Sequence, residues 1–431
     1  MCASEIDTEM NSLQKILFGI AGVVVLIGIG VGIYFLFFAN KPALTVGNPS
    51  VTLPGSADAG ITETTPTVGV QALGVPSAGA GTLVAPRLIR ITDRPVALGA
   101  LALFVPGTPA PKTASSTLIA SSTTAYSVDP DVKVEYIERE SGNIYAFQAH
   151  GRTLTRLTNK TLPGVVEASW VNDGSLAFAR FIAKTNSDEH IASYALPVNG
   201  GVGYFLEQDL EQVLVTGSST LMTLMSGTDG STATLSTPAG TNVRTLFNSP
   251  LSAIRVRSGG GVYVATTKAS FGRDGYTFVI DPKSGTFTHA LGPLTGLSAV
   301  VSPTGKFILY SYLERGKIVL SLFDMTSHTA TRLPLTTLAE KCVWSGDGAS
   351  IYCGVPTDMV GKLPDDWYQG VTSFTDRLWK IDLSSRVAVL LIDPKQAGDT
   401  DIDMTGLTID RTSDILVFTN KQDGTLWSYD L

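Results

Sequence analysis

Ala299-Val-Val-Ser-Pro-Thr-Gly305, followed at once by Lys306-Phe-Ile-Leu-Tyr310, reads as a strand, a tight turn and a second strand. Both apolar runs are too short for helices, and Ser-Pro-x-Gly puts proline and glycine where a turn requires them. The phrase recurs as Ala168-Ser-Trp-Val-Asn-Asp-Gly174 before Ser175-Leu-Ala-Phe-Ala179, and as Cys342-Val-Trp-Ser-Gly-Asp-Gly348 before Ala349-Ser-Ile-Tyr-Cys353. A looser copy runs from Arg255 to Ala265. A second phrase, Thr155-Arg-Leu-Thr158, Arg244-Thr-Leu-Phe247 and Thr331-Arg-Leu-Pro334, follows a further strand such as Ile318-Val-Leu-Ser-Leu-Phe323. The repeating unit therefore has four strands. Fourth strands centred near residues 91, 157, 205, 246, 290, 333 and 390 recur at roughly the 40 to 50 residue period of propeller blades, with two insertions. The chain is predicted to be all-β, a seven-bladed β-propeller over residues 87–431.

The Ser-Pro-x-Gly and Trp-Ser-x-Asp-Gly turns resemble those of TolB-type propellers and their tryptophan-aspartate-repeat relatives. That resemblance implies the fold. It says little about function, because such propellers serve as periplasmic scaffolds, peptidase gates and interaction platforms. Two blades depart from the pattern: the third has only Thr216-Gly-Ser-Ser219 at its turn, and the first carries a Pro/Thr/Ser-rich excursion from Val105 to Asp131. At the ends, Thr425-Leu-Trp-Ser-Tyr-Asp430 reads as a third strand without a fourth, while Arg87-Leu-Ile-Arg-Ile-Thr-Asp93 copies the fourth-strand phrase ahead of any first strand. Strand 87–93 is expected to close the ring and protect its edges.

Ahead of the propeller, the 23 residues Ile16–Phe38 carry no charge and reach roughly 35 Å as a helix, enough to cross a ~30 Å hydrocarbon core. Residues 1–15 are expected to form a short tail, 16–38 a single transmembrane helix and 39–86 a flexible Pro/Gly/Ser/Thr-rich linker. Tyr34, Phe35, Phe37 and Phe38 suit an interfacial aromatic belt, and Gly28 with Gly32 has the spacing of a weak helix-mediated homodimer. Lys15 and Lys41 nearly balance across the span, so the stalk-like linker decides orientation, with the C-terminal bulk outside the cytoplasm. The formal net charge of -7, with no Lys/Arg run, excludes a nucleic-acid footprint.

Motifs for chemistry are sparse. His150, His190, His289 and His328 fall in four blades without metal-ligand spacing, and no G-x-S-x-G elbow occurs. No cofactor or metal is expected. Asp365, Asp366, Asp401 and Asp403 could serve a glycosidase-like site, although solvated loops are their simpler place. Loops between second and third strands, Ala183–Glu189, Lys268–Asp274 and Thr357–Thr375, are expected to emerge together on one face. The candidate binding face is Asp365, Asp366, Trp367, Tyr368 and Phe374, whose aromatics either anchor a partner or fold back onto their own blade. Function accordingly reads as an extracytoplasmic, membrane-anchored interaction or scaffold module of the cell envelope, binding an unidentified envelope protein or glycan. The alternative is a carbohydrate-active or other hydrolytic enzyme. Finally, Cys342 and Cys353 flank the Gly346-Asp347-Gly348 turn symmetrically, so they should lie opposite each other, as a disulfide or as two packed thiols.

Overall fold

The computed structural model describes residues 86–109, 126–185, 188–217 and 220–431. These residues all fall in the second of the two units into which the chain divides, Thr67–Leu431. They form seven four-stranded antiparallel sheets, the blades of a propeller. First strands lie innermost, because those of neighbouring blades touch one another, and fourth strands lie outermost. The inner strands are Leu101–Val105, Val165–Trp170, Leu210–Val215, Ile254–Gly259, Ser298–Val301, Cys342–Trp344 and Met404–Ile409, for blades 1 to 7. Strands here are short and rich in Val, Ile, Leu, Phe and Tyr because each side of a blade is covered by its neighbour. The largest apolar clusters accordingly bridge adjacent sheets. Met222 and Leu224 of blade 3, for example, pack with Ile254 and Val256 of blade 4.

Leu88–Arg90 pairs antiparallel with Leu426–Asp430, Leu88 opposite Tyr429 and Arg90 opposite Trp427, so the start of the propeller supplies the outer strand of blade 7. Leu88 and Ile89 are buried, as is Ile91 just beyond, and the Arg87 guanidinium lies 4.8 Å from the Tyr429 ring centre. The fourth strands fall at Thr153–Arg156, Tyr204–Phe205, Arg244–Ser249, Phe287–Thr295, Thr329–Arg332 and Ala388–Ile392, at the places the repeat predicts. In blade 1 the excursion separates the first strand from the second, Asp131–Ile137, and includes a small pairing of Thr108 with Val128.

One feature differs from expectation. Ala183–Glu189 is not an open loop, since the strands Leu176–Thr185 and Asp188–Pro197 extend through most of it, with Ile182 opposite Ile191. Alternating side chains there allow the hairpin to keep pairing beyond the ring. No helix among the described residues is long and apolar enough to cross a membrane. The expected span 16–38, its Gly28 and Gly32 pair, and the linker up to residue 85 lie outside the described residues.

Candidate functional site

Three chain segments enter the ring from the face that carries the second-to-third-strand loops. Each brings one charged residue to the same point between blades 6 and 7. Lys341 closes the short 3-10 turn Ala339–Lys341 that leads into the inner strand of blade 6. Asp376 opens the third strand of that blade, and Asp403 directly precedes the inner strand of blade 7. All three are sealed from solvent, at 0%, 1% and 0% exposure. Lys341 Nζ lies 2.5 Å from Asp403 Oδ1 and 2.8 Å from Asp376 Oδ2, and donates to the Met404 carbonyl at 2.9 Å. The Trp367 and Phe374 rings complete its surroundings at 4.9 Å and 5.2 Å.

An ammonium buried this deeply is tolerated only where carboxylates, a carbonyl and ring faces replace water. Asp403 does more than balance it. Its carboxylate accepts from Trp367 Nε1 at 3.0 Å and from the Phe374 amide at 3.0 Å, so it pins both ends of the loop's aromatic segment. Lys421, from the neighbouring loop of blade 7, donates to the Trp367 carbonyl at 2.7 Å, and Gln422 donates to that of Phe374 at 2.9 Å. Burial pushes Asp376 up to about 6, against the pull of Lys341 and with a further push from Asp403. Burial likewise lowers Lys421. Asp376 Oδ2 also accepts from the Met404 amide at 2.6 Å, whereas its Oδ1 meets no donor among the described residues.

The sequence-predicted residues are brought together differently from expectation. Trp367, at 3% exposure, and Phe374, at 2%, are not exposed anchors but fold back, packing with Leu363, Ile318 and Leu338. Large rings on a 19-residue loop bury more apolar surface against blades 5 and 6 than they could in water. Tyr368 is half-buried and donates to Glu340 Oε1 at 2.9 Å; burial, then Glu340, holds its hydroxyl well above the usual range. Asp365 reaches across to the loop of blade 4, accepting from the Phe271 amide at 2.5 Å and from Ser270 at 3.2 Å. Asp366 accepts from the Lys362 amide at 2.7 Å within its own loop. Asp401 pairs with Lys395 at 2.9 Å on the outside, so the four aspartates do not converge. Asp403, expected on a solvated loop, is instead the buried centre of the cluster.

Lys341 was not singled out by its type or spacing. Its one signal is position: a lysine immediately before an inner strand, in Leu338-Ala339-Glu340-Lys341-Cys342, has no solvent to point into. Next to it, Cys342 lies directly opposite Cys353, with Cα atoms 4.1 Å apart and the sulfurs bonded. Among the described residues no three His, Cys, Asp or Glu side chains gather as metal ligands.

By architecture the chain is a seven-bladed β-propeller. No protein-family model matches it, and neither does any curated protein. Three of the solved structures similar to it are TolB from Acinetobacter baumannii, a prolyl endopeptidase and an oligogalacturonate lyase from Vibrio parahaemolyticus. TolB is 12% identical, with a TM-score of 0.41 over 58% of this chain and 59% of that one. The prolyl endopeptidase is 12% identical, with a TM-score of 0.44 over 68% of this chain and 45% of that one. For the lyase the values are 9%, 0.48, 80% and 93%. The chain thus spans 59% of the length of the TolB chain and 45% of that of the endopeptidase. The assignment of the fold rests on the seven sheets themselves.

Proposed function

We propose that this chain is an extracytoplasmic interaction or scaffold module of the cell envelope, held at the membrane by residues 16–38 and presenting its propeller to an envelope protein or glycan. The observation that carries the reading is the buried cluster. Lys341, Asp376 and Asp403, all buried, pair under Trp367 and Phe374 and stiffen a loop that ties blades 4, 6 and 7. A rigid ring with pinned loops is what a recognition surface needs, since little ordering entropy is lost on binding. The bonded Cys342 and Cys353 support an oxidising compartment. The apolar run ahead of a 48-residue stalk-like linker supports tethering with roughly 40 Å of reach.

Crosslinking in native membranes followed by mass spectrometry tests the module: recurrent crosslinks from the propeller to an envelope component are expected, and crosslinks only within the chain would remove the reading. Protease added to intact cells or spheroplasts tests placement. Digestion of the propeller, leaving a protected fragment near residues 1–40, is expected, whereas full protection until lysis would reverse the orientation.

A further inference from the structure

The opposite face carries the turns between first and second strands, and there a cavity of about 560 Å³ opens among blades 6, 7, 1 and 2. Its size lies within the ~300 to 1,000 Å³ range of ligand sites. One wall is the unbroken run Leu101–Pro106, which contains the whole inner strand of blade 1. Successive side chains of a strand point to opposite sides, so a wall made of six consecutive residues is made by the strand's edge.

That edge is open. The inner strands of blades 2, 3, 4 and 7 take bonds from a neighbouring blade, whereas among the described residues those of blades 5 and 6 take none: in blade 2, Val166 O accepts from Leu98 N and Ala168 N donates to Leu98 O. In blade 3, Val213 O accepts from Ser169 Oγ, and Gln212 exchanges two bonds with the backbone of Val256 in blade 4. Met404 O of blade 7 accepts from Lys341. Among the described residues no neighbouring blade bonds the backbone of Leu101–Val105, which pairs only with Asp131–Ile137 on its other side.

The remaining wall selects among occupants. Asp410 uses both carboxylate oxygens on its own turn, on the amides of Thr412, Asp414 and Ile415. Asp173 Oδ1 holds Ser175, and Lys133 is paired with the buried Glu135 at 2.7 Å. Arg411, exposed, is the cation of this wall with no ion-pair partner among the described residues. Ile409 and Leu103 add apolar surface.

We infer that this cavity takes an extended peptide of a partner, added as a strand to the free edge of Leu101–Val105, with apolar side chains at alternate positions and a carboxylate at Arg411. The inference deepens the interaction-module reading by naming the chemistry of a partner segment. Five residues of edge offer roughly 17 Å, room for about five residues of a partner strand.

The test uses the full chain in lipid nanodiscs, panned with a phage-displayed octapeptide library against empty nanodiscs. Enrichment of acidic, alternately apolar peptides is expected. Arg411→Glu should weaken the synthesised peptides by about ten-fold or more while leaving the melting temperature unchanged. N-methylating alternate peptide amides should weaken binding by a similar factor in one register and leave the other register intact, the mark of strand addition. No enrichment, or binding indifferent to both changes, overturns the inference. Enrichment that appears only when Ala110–Ala125 is replaced by a short glycine linker overturns it too, since the edge would then be occupied by this chain. Native crosslinks that map to the loop face alone would leave the module standing while this site fails.

Discussion

The two faces of the ring solve the problem of polar groups in opposite ways. On the face of the second-to-third-strand loops, charge is drawn inward: Lys341, Asp376 and Asp403 are buried, and the long loop of blade 6 closes over them with Trp367 and Phe374. On the face of the first-to-second-strand turns, the backbone of Leu101–Val105 takes no bond from another blade among the described residues, beside a cavity. The difference teaches that aromatic and acidic residues on a loop need not stand exposed. They carry large stabilising contacts, and the chain itself makes first use of them. An open strand edge costs little in a channel mouth that water still reaches.

The comparison breaks most readily at Lys341. Lys341→Met leaves Asp376 and Asp403 buried without their counter-charge, and should destabilise the propeller by about 3 to 5 kcal/mol in urea or thermal unfolding. A loss below about 1 kcal/mol would show that the loop face is not held by charge.

Asp376 sharpens the same contrast through pH. Its folded value of about 6 lies above the ordinary 3.8, so between roughly pH 4 and 6 the folded chain keeps a proton that the unfolded chain releases. Stability from this group is therefore fully present below about pH 4 and is lost as pH rises through 6, by on the order of 3 kcal/mol. Asp376→Asn should flatten the slope of unfolding free energy across that window relative to the parent. Parallel slopes in parent and variant would assign the buried charge elsewhere.

Trp367→Phe separates the ring's burial from its bond. The apolar face survives, but Asp403 loses the indole donor, and a loss of about 1 to 2 kcal/mol is expected, with faster hydrogen exchange across Thr357–Thr375. Unchanged exchange in that loop would mean that Asp403 does not pin it.

Much of the fold was legible because blades repeat. Ser302-Pro303-Thr304-Gly305 and Gly346-Asp347-Gly348 mark turns by residue type, and the phrase around Arg87–Asp93 betrays a fourth strand ahead of its blade. The Cys342 and Cys353 pairing follows from counting outward from one turn. The candidate sites were less legible, for two physical reasons. Whether Trp367 points out or folds back depends on Ile318 and Leu338, which belong to blade 5 and its exit and are distant in sequence. The ion cluster joins residues 341, 376 and 403, each ordinary in its own neighbourhood. As for Leu101–Val105, a free edge is a property of backbone left unpaired by other blades, and no residue type encodes it.

The smallest expected effect is also the cleanest discriminator between the faces. Arg411 is exposed and pairs with no carboxylate among the described residues, so Arg411→Glu removes no buried contact. Surface substitutions of this kind stay within about 0.5 kcal/mol. The neighbouring Asp410 spends its carboxylate on the amides of its own turn, so Arg411→Glu breaks none of its hydrogen bonds, and about 0.15 M salt screens the new charge from exposed charges more than roughly 8 Å away. Thermal unfolding of Arg411→Glu at that ionic strength should therefore match the parent. A loss as large as that of Lys341→Met would mean that the turn face, too, is held together by charge, and the contrast between a sealed face and an open one would no longer stand.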